Sequence, residues 1–325
     1  MRRIQTLFLL MFLFCSSQFN LQAQQESHYS MFMLNPFAYN AGFAGMDYSL
    51  SATGVFRRQW LGLDFTPITQ EVNVHTPIAA LQGGIGLSFA NDQFGAEQNT
   101  RFGVSYAYHL NLGNGTLSLG ARANLAQRGL NGAQLRTPEG VYDPGGSIDH
   151  RDPILPIVNE SGTTNTFDIG AYFKNETWEL GLGLNNITEA VVDLSNLALT
   201  NSRTFSANAG ASFELTYAIK VKPYVFIQSD LTQTQMAVGV MGEYNEDFFG
   251  GVVYRGLNTN SQDALAIIGG LRISEKVKLA YAYDMTLSGL KQVSSGSHEI
   301  LLNYNLNKRY VFSKPPNTIY HPRAF

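Results

Sequence analysis

Between Tyr48 and Leu306, apolar and polar residues alternate in segments of about eight to thirteen residues, each followed by a turn. One clear segment has apolar positions at Phe205, Ala207, Ala209, Ala211 and Phe213, separated by Thr204, Ser206, Asn208, Gly210 and Ser212. A period of two puts the two sets on opposite faces of a β-strand. Since the polar set holds Gly, Ser, Asn and Thr rather than Lys and Glu, the pattern favours a crowded barrel lumen over a solvated sheet face.

The alternating segments predict an even number of strands, fourteen, as expected of a bacterial barrel with both ends on the periplasmic side. The predicted strands start near Leu50, Thr69, Gly84, Thr100, Thr116, Thr164, Thr177, Thr204, Val221, Met236, Phe248, Ala264, Val277 and Ser297. The predicted fold class is therefore all-β: a transmembrane antiparallel β-barrel of about 14 strands at residues 48–306, in the bacterial outer membrane. An N-terminal non-barrel segment precedes it and a short C-terminal tail follows.

The lengths of the connections are consistent with this count. The turns predicted to be periplasmic are short, at residues 111–115, 174–176, 216–220, 245–247 and 274–276. The longest connections, 130–163 and 187–202, fall in external positions, as does 288–296, whereas the external turn near 232–235 is a short exception. Aromatic residues near the strand ends predict interfacial girdles, namely Tyr106, Tyr108, Trp178, Phe205, Phe213, Tyr281, Tyr283 and Tyr304.

Composition supports a membrane barrel more than a soluble enzyme. Charged residues make up 14% of the 325 residues, against roughly 25% in ordinary soluble domains. Apolar residues spread singly along the chain lower the charge without forming long apolar runs, as barrel walls require. The net charge of -3 gives no reason to expect a nucleic-acid partner.

The first 23 residues are predicted to be a secretory signal peptide. Arg2 and Arg3 form a basic start, residues 7–14 are apolar, and Ala23 is a small residue before the expected cleavage. Cys15, the single cysteine, raises a lipoprotein alternative, but Phe14 is poorly suited to the small position before it. If Cys15 leaves with the signal, the mature protein has neither disulfide nor thiolate chemistry.

Two predicted segments lie outside the wall. Residues 24–47 form a plug-like or docking segment, because their apolar side chains are too dense to remain in water; a flexible leader is the alternative. These side chains include Tyr29, Met31, Phe32, Met33, Leu34, Phe37, Tyr39 and Phe43. Residues 307–325 form a periplasmic tail whose prolines exclude a central strand. The tail is basic and aromatic, and either contacts a periplasmic partner or is a disordered end.

No catalytic, cofactor-binding or metal site is predicted, and the residues of a partner-binding site remain unknown. No two of the six His have the close spacing of a zinc motif. Two of them, His109 and His298, lie in predicted wall strands, where each could serve a hydrolase site or, more simply, form hydrogen bonds in the lumen. Asp143, Asp149 and Asp152 in the long external loop suggest either weak calcium binding or solvated acids. The charges predicted to face the lumen, where they would pair, are Arg122, Asp168, Glu179, Glu214, Arg272, Asp284 and Glu299.

Short motifs along the whole mature chain carry a family resemblance. They are Gln24-Gln25, Tyr29, Asn35-Pro36, Asn40-Ala41-Gly42-Phe43-Ala44-Gly45, Arg57-Arg58-Gln59-Trp60, Gly62, Pro67, His75-Thr76-Pro77, Tyr283-Asp284, Ser288, Gly296-Ser297-His298-Glu299-Ile300 and His321-Pro322-Arg323-Ala324-Phe325. Together they resemble the PorP/SprF family of outer-membrane proteins associated with type IX secretion in Bacteroidetes-type bacteria. Ala41, where the family usually has Pro, and His321, where Asn is common, depart from the pattern and affect only local turn geometry.

The resemblance implies a non-enzymatic outer-membrane component without a cofactor. It would assist export or cell-surface attachment of a secreted protein that bears a type B C-terminal sorting domain. The partners so implied are this cargo, the outer-membrane lipid, and periplasmic or lipoprotein components of the secretion and gliding machinery. The alternative is a passive porin or small-solute channel, because fourteen strands suffice for a water-filled pore.

Overall fold

The computed structural model describes residues 27–143, 146–256 and 263–308, in which fourteen antiparallel strands close into one barrel. The wall strands are β1 (Ser51–Arg58), β2 (Ile68–Ile78), β3 (Gly83–Phe94), β4 (Glu97–Leu112), β5 (Gly115–Asn131), β6 (Asn159–Lys174), β7 (Trp178–Asn185), β8 (Thr204–Ala211, continued by Phe213–Thr216), β9 (Ile219–Ser229), β10 (Thr234–Tyr244), β11 (Phe248–Arg255), β12 (Ala264–Ser274), β13 (Val277–Thr286) and β14 (Ser297–Asn305). Pairing of β1 with β14, from Ser51 opposite Asn305 to Arg58 opposite His298, closes the ring.

The structure confirms the predicted all-β fold and its fourteen strands. The largest difference in a strand start is at β6, which begins at Asn159 rather than near Thr164. Its first residues pair with the end of β5, where Asn131 lies opposite Asn159. They carry no apolar alternation, because this part of the wall has polar side chains on its outer face, so the hydrophobic pattern could not detect them.

Alternation along each strand separates a lipid-facing surface from the lumen. On β7, Leu180 and Leu182 are exposed on the outer surface, while Glu179 points inward and hydrogen-bonds the buried Tyr172. Each wall strand is hydrogen-bonded to a neighbour on both sides, although the external part of β6, from Asn159 to Asp168, pairs only with β5. The closed ring therefore has no free edge strand within the bilayer. An apolar outer surface on a closed barrel belongs to an outer-membrane protein.

The two rims of the barrel differ in their connections. At the periplasmic rim the turns are tight, and Gly113, Asn245 and Glu246 take left-handed backbone conformations there. The longest connections, 132–158 and 186–203, lie at the opposite rim, which the rule for bacterial barrels makes external. Each contains a short hairpin, Val141–Tyr142 with Ile148–Asp149 and Val191–Asp193 with Ala198–Thr200, and the first also begins with a 3-10 turn at Gly132–Gln134. Two other connections form 3-10 turns at Ala79–Leu81 and Gly289–Gln292.

Aromatic side chains occupy both ends of the outer surface. At the periplasmic rim the rings of Trp178 and Phe213 meet edge to face, with centroids 6.4 Å apart. At the external rim Tyr281 and Tyr283 pack against His298, with centroids 5.9 and 5.2 Å away. This is the arrangement of interfacial girdles, in which amphipathic rings sit at head-group level.

The predicted signal peptide, with Cys15, lies outside the described residues, and so does the predicted tail beyond Lys308. Within the described ranges, no helix combines the length and the apolar character needed to cross a membrane.

Candidate functional site

Residues 27–47, called the plug below, lie inside the barrel. The plug folds as three 3-10 turns, Phe32–Leu34, Pro36–Ala38 and Ala41–Phe43. Pro36 starts the second turn, and the side chain of Asn40 caps the third by accepting the N–H of Gly42 at 2.8 Å. Pro and Gly prevent a longer helix here, so the plug follows the irregular shape of the lumen.

A buried ionic network fastens the start of the plug to the wall. Arg57 on β1 contacts Asp284 on β13 at 2.7 Å and Glu299 on β14 at 2.8 Å. Arg255 on β11 approaches the same Asp284 at 3.2 Å. The hydroxyl of Ser30 donates to Asp284 at 2.7 Å and accepts from Arg57 at 3.1 Å, and the plug thereby enters the network.

The same network binds the plug through its main chain. The carboxylate of Glu299 accepts the backbone N–H groups of Ser30 at 2.8 Å and Met31 at 3.1 Å. In this network Arg57, Arg255, Asp284 and Glu299 each have an opposite charge and a hydrogen bond, the condition under which burial is tolerated. Burial, together with Arg255 and Arg57 nearby, lowers the pKa of His28 to about 3. The imidazole is therefore neutral at pH 7 and adds no charge to the network.

Polar contacts hold the rest of the plug against the other side of the wall. The side-chain amide of Asn40 donates to the carbonyls of Ala171 at 3.0 Å and Leu182 at 3.1 Å. The guanidinium of Arg122 donates to the carbonyl of Phe37 at 2.5 Å and lies 4.5 Å from the centre of its ring. These partners come from β5, β6 and β7, so the plug is fixed from opposite directions.

Ring contacts fill the space between the plug and the wall. Phe32 stacks on Phe226 with centroids 5.1 Å apart, and Tyr39 lies 4.6 Å from the same ring. Phe43 meets Tyr172 edge to face at 4.8 Å. Such aromatic pairs add about 0.5–1.5 kcal/mol each beyond their buried area, and they make the plug part of the core of the barrel.

Two wall glycines allow the plug to approach closely. A Cβ atom at Gly84 would lie 2.3 Å from the carbonyl oxygen of Ala44. A Cβ at Gly120 would lie 2.4 Å from that of Ala41. Any larger residue at either position would therefore displace the third turn of the plug.

A cavity of about 390 Å³ lies on the external side of the plug, and we call it the external vestibule. Its lining includes Gln59, Trp60, Phe94, Glu97, Arg128 and Gln235. Arg128 pairs with Glu97, and Arg255 pairs with Asp263 at 2.5 Å, so charge is balanced at its base. The vestibule is thus a polar recess with aromatic edges, open toward the long loops.

A second cavity of about 260 Å³, the periplasmic vestibule, lies on the other side of the plug and is lined by paired charges. Lys174 contacts Glu179 at 2.9 Å, and Lys222 contacts Glu243 at 2.6 Å. Burial raises the pKa of Asp47, but the neighbouring His75 and Lys174 outweigh this effect, and the pKa lies below its ordinary value. The plug therefore separates two polar chambers.

The two histidines considered for catalysis lie on opposite sides of the barrel wall. His109 lies on the lumen side, where its Nε2 is 2.9 Å from the carbonyl oxygen of Ala44 in the plug. The expectation that His298 is a lumen group is wrong, because His298 lies on the outer surface with its Nδ1 2.5 Å from the hydroxyl of Tyr281. Alternation along β14 places His298 on the same outer surface as Ile300 and Leu302, so its position could have been predicted from the sequence.

Two of the external acids considered for calcium accept hydrogen bonds from the main chain. Asp149 accepts the N–H of Arg151, and Asp152 accepts the N–H of Ile154, each at 2.9 Å. Asp143 lies in the same loop and is exposed. No group of three or more potential metal-ligating His, Cys, Asp or Glu occurs in the ranges that the structure describes.

The predicted inward charges divide into three groups. Arg122, Asp168, Asp284 and Glu299 are buried, and Glu179 and Arg272 are half-buried toward the periplasmic vestibule. Glu214 is exposed at the periplasmic rim, near Lys220 at 3.4 Å, because β8 is interrupted at Ser212 before this residue. Ser30 and Arg255 also belong to the ionic network and were not predicted, although the inward parity of Arg255 in β11 marks it as a lumen charge.

Comparison with known proteins gives one family. The model of the family described as type IX secretion system membrane protein PorP/SprF matches residues 21–304. No curated protein is similar enough in sequence to count as a match.

Several solved barrels resemble the fold at low identity. The toluene transporter TbuX of Ralstonia pickettii is 12% identical, with a TM-score of 0.48 over 84% of this chain and 92% of that one. The outer membrane protein Omp33 of Acinetobacter baumannii is 8% identical, with a TM-score of 0.45 over 79% and 98%. A FadL homologue of Pseudomonas aeruginosa is 11% identical, with a TM-score of 0.41 over 79% and 89%. These likenesses carry no information about what this chain binds.

Proposed function

The chain belongs to the PorP/SprF family of type IX secretion system membrane proteins, and from this membership we propose that it is a non-enzymatic partner for one secreted protein. It holds that protein at the cell surface or assists its export. The cargo carries a type B C-terminal sorting domain. Periplasmic or lipoprotein components of the secretion and gliding machinery contact the barrel at its periplasmic rim.

The filled lumen supports a binding role over a passive porin. The plug contacts wall strands on opposite sides of the barrel through Glu299, Asn40 and Arg122. A porin needs a continuous water-filled lumen, whereas here the middle of the lumen holds a packed segment. Solute passage would require the plug to leave its contacts.

The observation that carries the proposal is the form of the long external loops. The loops 132–158 and 186–203 pack together, with Asn196 donating to the carbonyl of Pro153 at 3.1 Å. Within the second loop, Val192, Leu194 and Leu199 form a small apolar cluster that packs against Leu130 at the end of β5. The described parts of the two loops are therefore held against each other, and they offer the cargo a fixed surface.

The first of these loops also exposes aliphatic side chains outside the membrane. Ile154 is 51% exposed and Ile157 is 52% exposed. Exposed apolar residues on an ordered surface are typical of protein–protein contacts. We place the cargo contact on this loop.

Gene deletion tests the role, and loop variants test the surface. Deletion should remove one sorting-domain protein from the cell surface, measured by surface labelling and mass spectrometry. The double variant Ile154→Asp with Ile157→Asp should lower display of that protein by about tenfold, since two lost hot-spot contacts cost at least ~1.4 kcal/mol. Val293→Asp is the matched control, because Val293 is an exposed external aliphatic in another loop.

Normal display of every sorting-domain protein after deletion would refute the role. Normal display in the loop variant alone would refute only the surface.

A further inference from the structure

Strands β4, β5 and β6 are longer than a bilayer requires. They contain 16, 17 and 16 residues, whereas about 9–11 tilted residues span a membrane. On β4 the outward apolar residues run from Leu112 to Phe102, which already matches that span. About six residues of each strand therefore project beyond the lipid at the external rim.

On β3, β4 and β5 the outer surface changes from apolar to polar at one level, and on β6 it is polar already at Asn165, the register neighbour of Leu125. The last apolar row contains Phe89, Phe102 and Leu125, which are register neighbours on β3, β4 and β5. The next outward row consists of Asn91, Thr100, Gln127 and Thr163, and the row above it of Gln93, Gln98, Gly129 and Ser161. Both rows are uncharged, although an ordinary solvated surface is rich in Lys and Glu. We call these two rows the amide face.

The side chains of the amide face are ordered by hydrogen bonds to one another. Asn91 Oδ1 accepts from Gln98 Nε2 and from Thr100 Oγ1, both at 2.9 Å. Gln127 Nε2 donates to Ser161 Oγ at 3.2 Å. A cavity of about 240 Å³ lies against this face, and its lining includes six of the eight residues of the two rows together with Glu97 and Glu160. Pre-ordered amides beside a recess suit a ligand rich in hydroxyl groups, because each amide supplies both donors and an acceptor.

The position of the amide face identifies the occupant. The face continues the lipid-facing surface of the same strands without a break, so it stands beside the head groups of the outer leaflet. Head groups of an outer-leaflet glycolipid are sugars, and sugar hydroxyls match neutral amides and hydroxyls. Phosphate would require Arg or Lys, and neither occurs in the two rows. We propose that the amide face binds the saccharide part of the outer-leaflet glycolipid and so holds molecules of that lipid against the β3–β6 side of the barrel.

The test uses the full-length protein in nanodiscs that contain lipopolysaccharide and phospholipid. Retained lipopolysaccharide is measured by native mass spectrometry after transfer to detergent. The variant Gln98→Ala with Gln127→Ala should retain about tenfold less, the effect of losing one or two net hydrogen bonds. The control Gln292→Ala with Asn114→Ala removes the same number of amides outside the amide face and should retain as much as the unmodified protein. Thermal unfolding of both variants should match that of the unmodified barrel.

A competition arm identifies which part of the lipid is bound. Oligosaccharide released from lipopolysaccharide by mild acid should displace the bound lipid, whereas phospholipid should not. Equal retention by the amide-face variant, an equal loss in the control pair, or displacement by phospholipid alone overturns the proposal. Cargo display is measured separately, so this result does not depend on the proposed secretion role.

Discussion

Glu299 in the barrel wall accepts a hydrogen bond of 2.8 Å from the backbone N–H of Ser30 in the plug. Glu299 is fully buried, and its charge is balanced by Arg57 on the neighbouring strand. Because the plug contributes main-chain donors, the contact depends on the backbone conformation of the plug and not on one of its side chains. The wall charge therefore holds the plug in one position.

Glu299→Gln should loosen the start of the plug. The amide keeps the shape of the carboxylate but has only one acceptor oxygen, while Ser30, Met31 and Arg57 all donate to this site. We expect the amides of Ser30 and Met31 to exchange hydrogen about tenfold faster, in line with a loss of about 1.5 kcal/mol for a charged hydrogen bond. Hydrogen exchange with mass spectrometry measures this, and Glu243→Gln in the periplasmic vestibule is the control. Unchanged exchange in the plug would count against the role of Glu299.

Arg57→Met should destabilise the protein much more than the same change at the next residue. Arg57 lies between the buried carboxylates of Asp284 and Glu299, and its removal leaves them facing each other with reduced compensation. Breaking a buried ion pair in this way costs about 3–5 kcal/mol. Arg58 lies on the outer surface and is exposed, so Arg58→Met should change stability by less than about 0.5 kcal/mol. Urea unfolding in detergent compares the two, and similar midpoints would contradict the assignment.

Gly120→Ala should displace the third turn of the plug while the wall stays intact. The added Cβ would lie 2.4 Å from the carbonyl oxygen of Ala41, so the turn must move. Limited proteolysis should cut between residues 40 and 47 at least several-fold faster. Gly269→Ala is the control, because no atom lies within 4 Å of a Cβ built there. Cleavage at the same rate in both variants would show that the close approach has no structural role.

The barrel wall could be predicted from the sequence because each strand carries its own signal. A period of two is local, and it indicates a strand whether or not the partner strand is known. The start of β6 was predicted too late because its first outward residues, Asn159, Ser161 and Thr163, are polar. Alternation of apolar residues locates the part of a strand that contacts lipid. It does not locate the part that projects beyond the bilayer.

The contacts of the plug could not be predicted in the same way. Ser30 is separated by 269 residues from Glu299 and by 254 from Asp284, and a single sequence contains no signal for such pairs. The dense apolar residues of 24–47 indicate that the segment needs a packing surface. They do not indicate which charges or glycines of the wall supply it. His298 is a different case, since the parity of β14 already places it beside Ile300 on the outer surface.

Removal of residues 24–45 should turn the barrel into a conducting pore. The plug lies between the two vestibules, and fourteen strands enclose enough space for water once it is gone. In planar bilayers the full-length protein should be nearly silent, and the deletion should give stable openings, with Arg58→Met as a silent control. The lost contacts of Phe32, Phe43 and Ser30 should also lower the unfolding midpoint. Each buried Phe contributes about 1.5–3 kcal/mol, so the shift should be large. A silent bilayer together with an unchanged midpoint would exclude the plug as the element that fills the lumen.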